Sequence, residues 1–367
     1  MASVFVYRPL NSAAAEIRLV RILPSSPHDT SDLIHCQLQH VSLLDSERVQ
    51  HGQPGTALDW DGMADAPSTS TANPEWRYTW GDFVALSYTW GNPSETRDIA
   101  VDGLRVQVRS NLEAALRALA KKRPVQQGIL LWIDALCINQ GDIGERNREV
   151  KRMRAIYQTA RDVVVWLGEE SDDSGMAMKF VKRLAESCAD GTDDVLGREL
   201  RTSPEMFVGA WRAIGQLFTR PYWERLWIIQ EIAMGNSQTP VLCGDATVRW
   251  GHIYHGIYTF GSRHIDIFFS NIERECREGG VRYAGLNRNK LIHLWREGEV
   301  QAGKQLPQFL PMLDLGRKSA ATDPRDKVYG LLGLMPPEVA ASIEPDYEKP
   351  IPEVYLSLAK TWVTTSK

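Results

Sequence analysis

Glu231 is a carboxylate in a stretch of sequence that offers it no water. It lies in Arg220–Met234, RPYWERLWIIQEIAM. Nine of the thirteen residues from Tyr222 to Met234 are apolar. At about 100° per residue they fall on every side, so the spacing predicts a buried helix. Pro221 suits its first turn and Gly235 its end. Trp227 and Glu231, four apart, share one face of that helix, and Arg225 belongs to the same segment. A carboxylate so placed is costly unless it is paired or faces a functional cleft. Two readings stand: a structural contact of Glu231 with Arg225 or backbone, or a site in which Glu231 acts.

A second set of chemistry-bearing residues falls where apolar runs end. Phe83–Tyr88 (FVALSY), Ile129–Ile133 (ILLWI) and Val163–Leu167 (VVVWL) read as buried strands separated by helical patterns. That alternation predicts a parallel sheet covered on both faces. Ligands of such sheets bind outside the carboxyl ends of the strands. The ends here are Ser87-Tyr88-Thr89-Trp90-Gly91, Asp134 through Gln140, and Gly168-Glu169. Backbone N–H groups around Trp90-Gly91 could hold an anion, or the turn could be structural. Asp134, Asn139 and Gln140 could hold a polar ligand or cap the following helix.

The elements that must position these groups are legible in outline. Residues 4–10, 17–23 and Leu33–Leu38 read as short strands. Residues 51–73, rich in Gly, Pro, Ser, Thr, Asp and Ala, read as a flexible, solvated insertion. Ile99–Val108 is a hairpin around Asp102-Gly103. Ser110 and Glu113 predict a capping box for a helix burying Leu112, Ala115, Leu116 and Leu119. Asp142 and Glu145 predict another, opening a helix with Val150, Met153, Tyr157 and Ala160 inward. Pro240–Cys243 reads as one more strand. Residues 251–367 read as mostly helical, with amphipathic segments near His264–Arg274 and after Asp323, where Asp323 serves as N-cap. The last helix, begun near Pro352, is still running at the end of the chain, as in a domain excised from a longer protein.

Bulk properties exclude several classes. With 367 residues, a net charge of −4 and a pI near 6.1, the chain has no basic footprint for nucleic acid. Five scattered cysteines with no C-x-x-C pair argue for reduced thiols in a cytoplasmic protein. No apolar run approaches the ~20 residues of a membrane span. P-loop, G-x-G-x-x-G, H-E-x-x-H and G-x-S-x-G motifs are absent, and the histidine spacing predicts no metal. Cys137, amid Leu136 and Ile138, reads as a buried structural thiol.

Four blocks in order carry a family resemblance. They are ALSYTWG (Ala85–Gly91), Leu131–Gly168, RPYWERLWIIQEI (Arg220–Ile232) and DPRDKVYGLLGL (Asp323–Leu334). Together they resemble the fungal heterokaryon-incompatibility (HET) domain. The resemblance implies a single unit over 1–367, with an α/β core at 79–250 and a helical extension at 251–367. The core would be a parallel sheet flanked by helices, flavodoxin-like in the manner of the Toll/interleukin receptor (TIR) domain. It further implies a cytoplasmic trigger of programmed cell death. Its partners would be regulatory domains or proteins of the incompatibility system, and it would form a homo-oligomer on activation.

Many TIR domains cleave NAD⁺ with a glutamate set in W-x-x-x-E, and Trp227–Glu231 is similar. By resemblance Glu231 is catalytic. Ser87, Tyr88, Trp90, Gly91, Asp134, Asn139, Gln140, Arg225 and Trp227 would bind NAD⁺ or a related nucleotide as substrate, with no cofactor. Nicotinamide in NAD⁺ is already a pyridinium and leaves as a neutral base, so no general acid is required, and one carboxylate near the ribose could stabilise the oxocarbenium as it develops. The alternative is a non-catalytic module that signals by TIR-like self-association.

Overall fold

Strands buried on both faces need apolar residues at nearly every position, and the three apolar runs meet that demand. The computed structural model describes residues 5–24, 32–44, 58–60, 82–281 and 309–365. The chain divides into two compact units, Met1–Gly168 and Glu169–Lys367.

The first unit holds β1 (Glu16–Ile22), β2 (His35–Ser42), β3 (Phe83–Tyr88), β4 (Thr96–Val101), β5 (Leu104–Arg109), β6 (Leu130–Trp132) and β7 (Asp162–Trp166). They lie in the order β5-β4-β2-β1-β6-β3-β7. β3 pairs parallel with both β6 and β7, and all six of its residues are buried. Helices α1 (Ser110–Ala120) and α2 (Ile143–Thr159) complete the α/β unit. The expected parallel sheet is its centre, but the sheet is mixed. β1 runs antiparallel to β2 and β6, and β4 antiparallel to β5. The strand–helix alternation that announces parallel pairing starts only at Phe83; the N-terminal strands precede it.

Local expectations fail where tertiary partners compete. Residues 5–10 form no strand; the Tyr7 ring instead lies 4.7 Å from the Arg18 guanidinium. Neither expected capping box closes. α1 begins at Ser110 with no side-chain cap, and Glu113 pairs with Arg97 at 3.0 Å and with Arg117. Asp142 does accept the Glu145 N–H, but the Glu145 carboxylate turns away to Arg18. The buried face of α2 consequently includes Glu145, Glu149 and Ile156, while Val150 is only half-buried. Of the expected insertion, only 58–60 are described. There Trp60 is buried and Asp59 pairs with Arg123 at 3.0 Å; the rest lies outside the described residues.

The Arg18–Glu145 pair is fully enclosed, with side chains 1% and 4% exposed. Arg18 Nη1 donates to Glu145 Oε1 at 2.6 Å and to the Cys137 carbonyl at 2.9 Å. Nη2 donates to Glu145 Oε2 at 3.1 Å and to the Arg8 carbonyl at 2.7 Å. One side chain thereby fastens β1, the N-terminal segment, the end of the β6 connection and the first turn of α2.

The second unit contains α3 (Ser174–Ala189), α4 (Asp193–Thr202), α5 (Val208–Leu217), α6 (Ile228–Ala233), the antiparallel hairpin β8 (Pro240–Cys243) and β9 (Ala246–Arg249), α7 (Ile265–Glu278), α8 (Phe309–Lys318) and α9 (Ile351–Thr365). Phe180, Trp211 and Phe268 meet edge to face at its centre. Arg220–Met234 is not one helix. Pro221–Glu224 forms a single 3₁₀ turn, Arg225 is extended, and α6 restarts at Ile228. The break has a backbone cause: the Leu226 N–H donates to Ala320 O at 2.9 Å, and the Ala320 N–H donates to Glu224 O at 2.6 Å. Asp323 accepts the Arg325 N–H as a cap would, but the helix that follows is one turn, Asp326–Tyr329.

Removing one partner of a buried ion pair leaves the other charge unpaired in a dry site. Arg18→Ala should therefore destabilise the chain by about 3–5 kcal/mol in urea denaturation, and the double change Arg18→Met/Glu145→Leu should recover much of that loss. Equal losses in the single and double variants would contradict this account of the pair.

Candidate functional site

The carboxyl ends of β3 and β6 carry a hydrogen-bonded rim. Trp90 Nε1 donates to Asp134 Oδ2 at 2.7 Å. The Arg109 guanidinium lies 5.1 Å from the Trp90 ring centre and donates to the Gly91 carbonyl at 2.7 Å. Asn111 Nδ2 donates to the Thr89 carbonyl at 2.5 Å, and Asn111 Oδ1 accepts from Trp166 Nε1 at 3.0 Å. Gln140 Nε2 donates to the Asp134 carbonyl at 3.0 Å, and the Asn139 N–H donates to Glu145 Oε1 at 2.6 Å. Gly91 turns the chain at φ +81°, where a Cβ would also press on Asn111 at 3.3 Å.

Accessibility sorts these groups. Trp90, Gly91, Asp134, Asn139 and Gln140 are half-buried, within reach of a ligand. Ser87 and Tyr88 are enclosed in β3, at 0% and 2% exposure. The Thr89 hydroxyl oxygen is buried and has no hydrogen-bond partner among the described residues. Cys137 is fully enclosed and burial pushes its thiol far up, so it is a structural thiol rather than a nucleophile.

Glu231 belongs to the second unit, as do Arg225 and Trp227. Every residue of α6 is buried, and Glu231 is 2% exposed. Its Oε2 lies 3.9 Å from Arg225 Nη1. The Glu231 N–H donates to the Trp227 carbonyl at 3.1 Å, so the two side chains stand one turn apart as the spacing required. Gln230, the neighbouring polar residue, accepts the Gly333 N–H at 3.0 Å. The RLWIIQEI and DPRDKVYGLLGL blocks are thus joined through this bond.

Residues 83–231 match the family described as heterokaryon incompatibility protein (HET). This chain carries a HET domain. The match opens at the first residue of β3 and closes on Glu231. Among curated proteins, the heterokaryon incompatibility protein 6, OR allele, of Neurospora crassa is 30% identical over 313 residues. That alignment takes in 72% of this chain and 44% of the relative, so the chain spans less than half the relative's length. No solved structure matches the chain. Among the described residues of the chain, no helix is long and apolar enough to cross a membrane.

Sequence reading missed two residues of the rim. Arg109 closes β5 and Asn111 sits in the first turn of α1, where the S-x-x-E pattern drew attention to Ser110 instead. The signal available was position: both flank the turn that follows an apolar strand. Asn111 satisfies two groups at once. Replacing it with Leu leaves the Thr89 carbonyl and the buried Trp166 N–H unpaired, at about 1–3 kcal/mol for each orphaned group. Urea denaturation of Asn111→Leu should show a clear fall in midpoint; an unchanged midpoint would contradict the bridging role.

Proposed function

We propose that this chain is an effector of fungal heterokaryon incompatibility and programmed cell death, acting on NAD⁺ or a related nucleotide. The incompatibility role rests on the HET match and on the name of the Neurospora relative. The observation that carries the nucleotide reading is the rim of Trp90, Gly91 and Asp134 at the ends of parallel strands, where α/β sheets receive ligands. Trp90 offers an aromatic face and Asp134 a carboxylate for sugar hydroxyls. Arg109 supplies the charge a diphosphate needs, and the Thr89 hydroxyl is a polar group with no partner among the described residues.

Family resemblance alone assigns Glu231 to the bond-breaking step. Departure of nicotinamide leaves positive charge on the ribose ring, and water then adds to its anomeric carbon. A carboxylate in dry surroundings stabilises that charge more strongly than one in water.

A second reading has its own support. Glu231 lies against Arg225 and is almost wholly enclosed, as a structural carboxylate would be. In that case the domain signals by self-association. The apolar side chains of Tyr355, Leu356 and Val363, exposed on α9, would suit such a role.

Nicotinamide release from NAD⁺ by the purified chain decides between them, measured with and without a crowding agent. The catalytic reading expects release by wild type and a loss of about a hundredfold or more in Glu231→Gln with the fold intact. Release that survives the substitution moves the step away from Glu231. No release from clustered protein favours the self-association module.

A further inference from the structure

Three side chains of the second unit, used by neither reading, converge on one point. Asp193 and Asp194 open α4, and His264 stands immediately before α7. His264 Nε2 lies 3.3 Å from Asp193 Oδ2 and 4.0 Å from Asp194 Oδ1. All three donor atoms fall within 4.8 Å of one another.

The imidazole is held in place from two sides. Its ring centre is 4.5 Å from that of Phe260, and a Cβ at position 197 would come within 2.8 Å of it, so Gly197 is what lets the ring approach α4. The His264 side chain is only 4% exposed. The second oxygen of Asp193 accepts from Arg263 Nη1 at 3.0 Å, which fixes the carboxylate's orientation. A carboxylate held by an outer partner in this way is a usual companion of a bound metal.

The 3.3 Å spacing falls within the range of the chain's ion pairs. A charge-assisted N–H···O bond closes to about 2.7–2.9 Å. The 3.3 Å between His264 Nε2 and Asp193 Oδ2 is also close to the edge of a tetrahedron of ligands about 2.0–2.1 Å from a zinc ion. Asp194, 92% exposed, nonetheless keeps an oxygen at 4.0 Å from the same nitrogen. Two carboxylates face one guanidinium and one imidazole at the point of convergence. An imidazole among the donors favours a first-row ion such as Zn²⁺ over Mg²⁺ or Ca²⁺, which take oxygen ligands.

We propose that Asp193, Asp194 and His264 form a zinc-type divalent-metal site that joins the start of α4 to the start of α7, with water completing the coordination. The residues are 71 positions apart in the chain, beyond the reach of any spacing motif.

Calorimetric titration of the reduced, EDTA-treated full chain with ZnCl₂ tests the assignment. Wild type should bind one Zn²⁺, with MgCl₂ and CaCl₂ giving no comparable heat. Asp194→Asn, at an exposed position that leaves the fold intact, should bind about tenfold more weakly or worse, and His264→Gln should lose the site. Zn²⁺ should raise the thermal midpoint of wild type and leave that of the two variants unchanged. Cys188, a partly exposed thiol in this unit, is the internal control: Cys188→Ser should bind as wild type does. The Co²⁺-loaded chain should show d–d absorption without a thiolate charge-transfer band. No binding, equal affinity in wild type and Asp194→Asn, or loss of binding in Cys188→Ser would each overturn the proposal.

Discussion

Placing a guanidinium and a carboxylate together in a dry interior is costly, and the first unit is arranged so that both terminal nitrogens of the guanidinium and both carboxylate oxygens are bonded. Arg18 spends its terminal nitrogens on Glu145 and on the carbonyls of Cys137 and Arg8. Glu145 returns one oxygen to the Asn139 N–H. The pair therefore fixes the connection from β6 to α2, which carries Asp134, Asn139 and Gln140. A desolvated pair of this kind adds little net stability compared with an apolar replacement. Its bonds tie the connection to β1 and to the first turn of α2. The strand-end groups inherit their geometry from that constraint.

The opposite side of the rim is fixed by different means. Asn111, at the start of α1, bridges the Thr89 carbonyl and the Trp166 indole. Arg109 spans the Trp90 ring and the Gly91 carbonyl. The turn after β3 is thus held by side chains from β5, α1 and β7, and Trp90 then reaches Asp134 across the ends of β3 and β6. Apart from Arg109 and Gln140, the rim is held by short or rigid side chains. Preorganised polar groups of that sort bind a ligand with little ordering cost.

The parts legible in the sequence are those in which a local pattern and the tertiary environment agree. β3, β6 and β7 announce themselves because burial on both faces leaves only apolar residues. The Asp102-Gly103 hairpin does so through its turn chemistry, with Asp102 and Gly103 both at positive φ. Legibility fails where a distant partner decides. The Arg220–Met234 segment has helical spacing throughout, yet backbone bonds to Ala320 pull Arg225 and Leu226 out of the helix. Glu145 fits a capping box locally, and a buried arginine 127 positions away claims its carboxylate. Of the expected site residues, Trp90, Gly91, Asp134 and Gln140 do gather into one bonded group, because strand ends are positions that pattern reading locates well. Ser87 and Tyr88, one step earlier in the same strand, are sealed in the core. Arg109 and Asn111 carry no motif, and only the packing of β5 and α1 reveals them.

The central claim is that the ends of β3 and β6 receive a nucleotide. Amide hydrogen exchange of the wild-type chain with and without saturating NAD⁺ tests it most directly, because it reads binding without requiring turnover. The account predicts slowed exchange in peptides covering Thr89–Asn92 and Asp134–Gly141, and loss of that protection in Trp90→Ala. Unchanged exchange in both peptides at saturating NAD⁺ would contradict it.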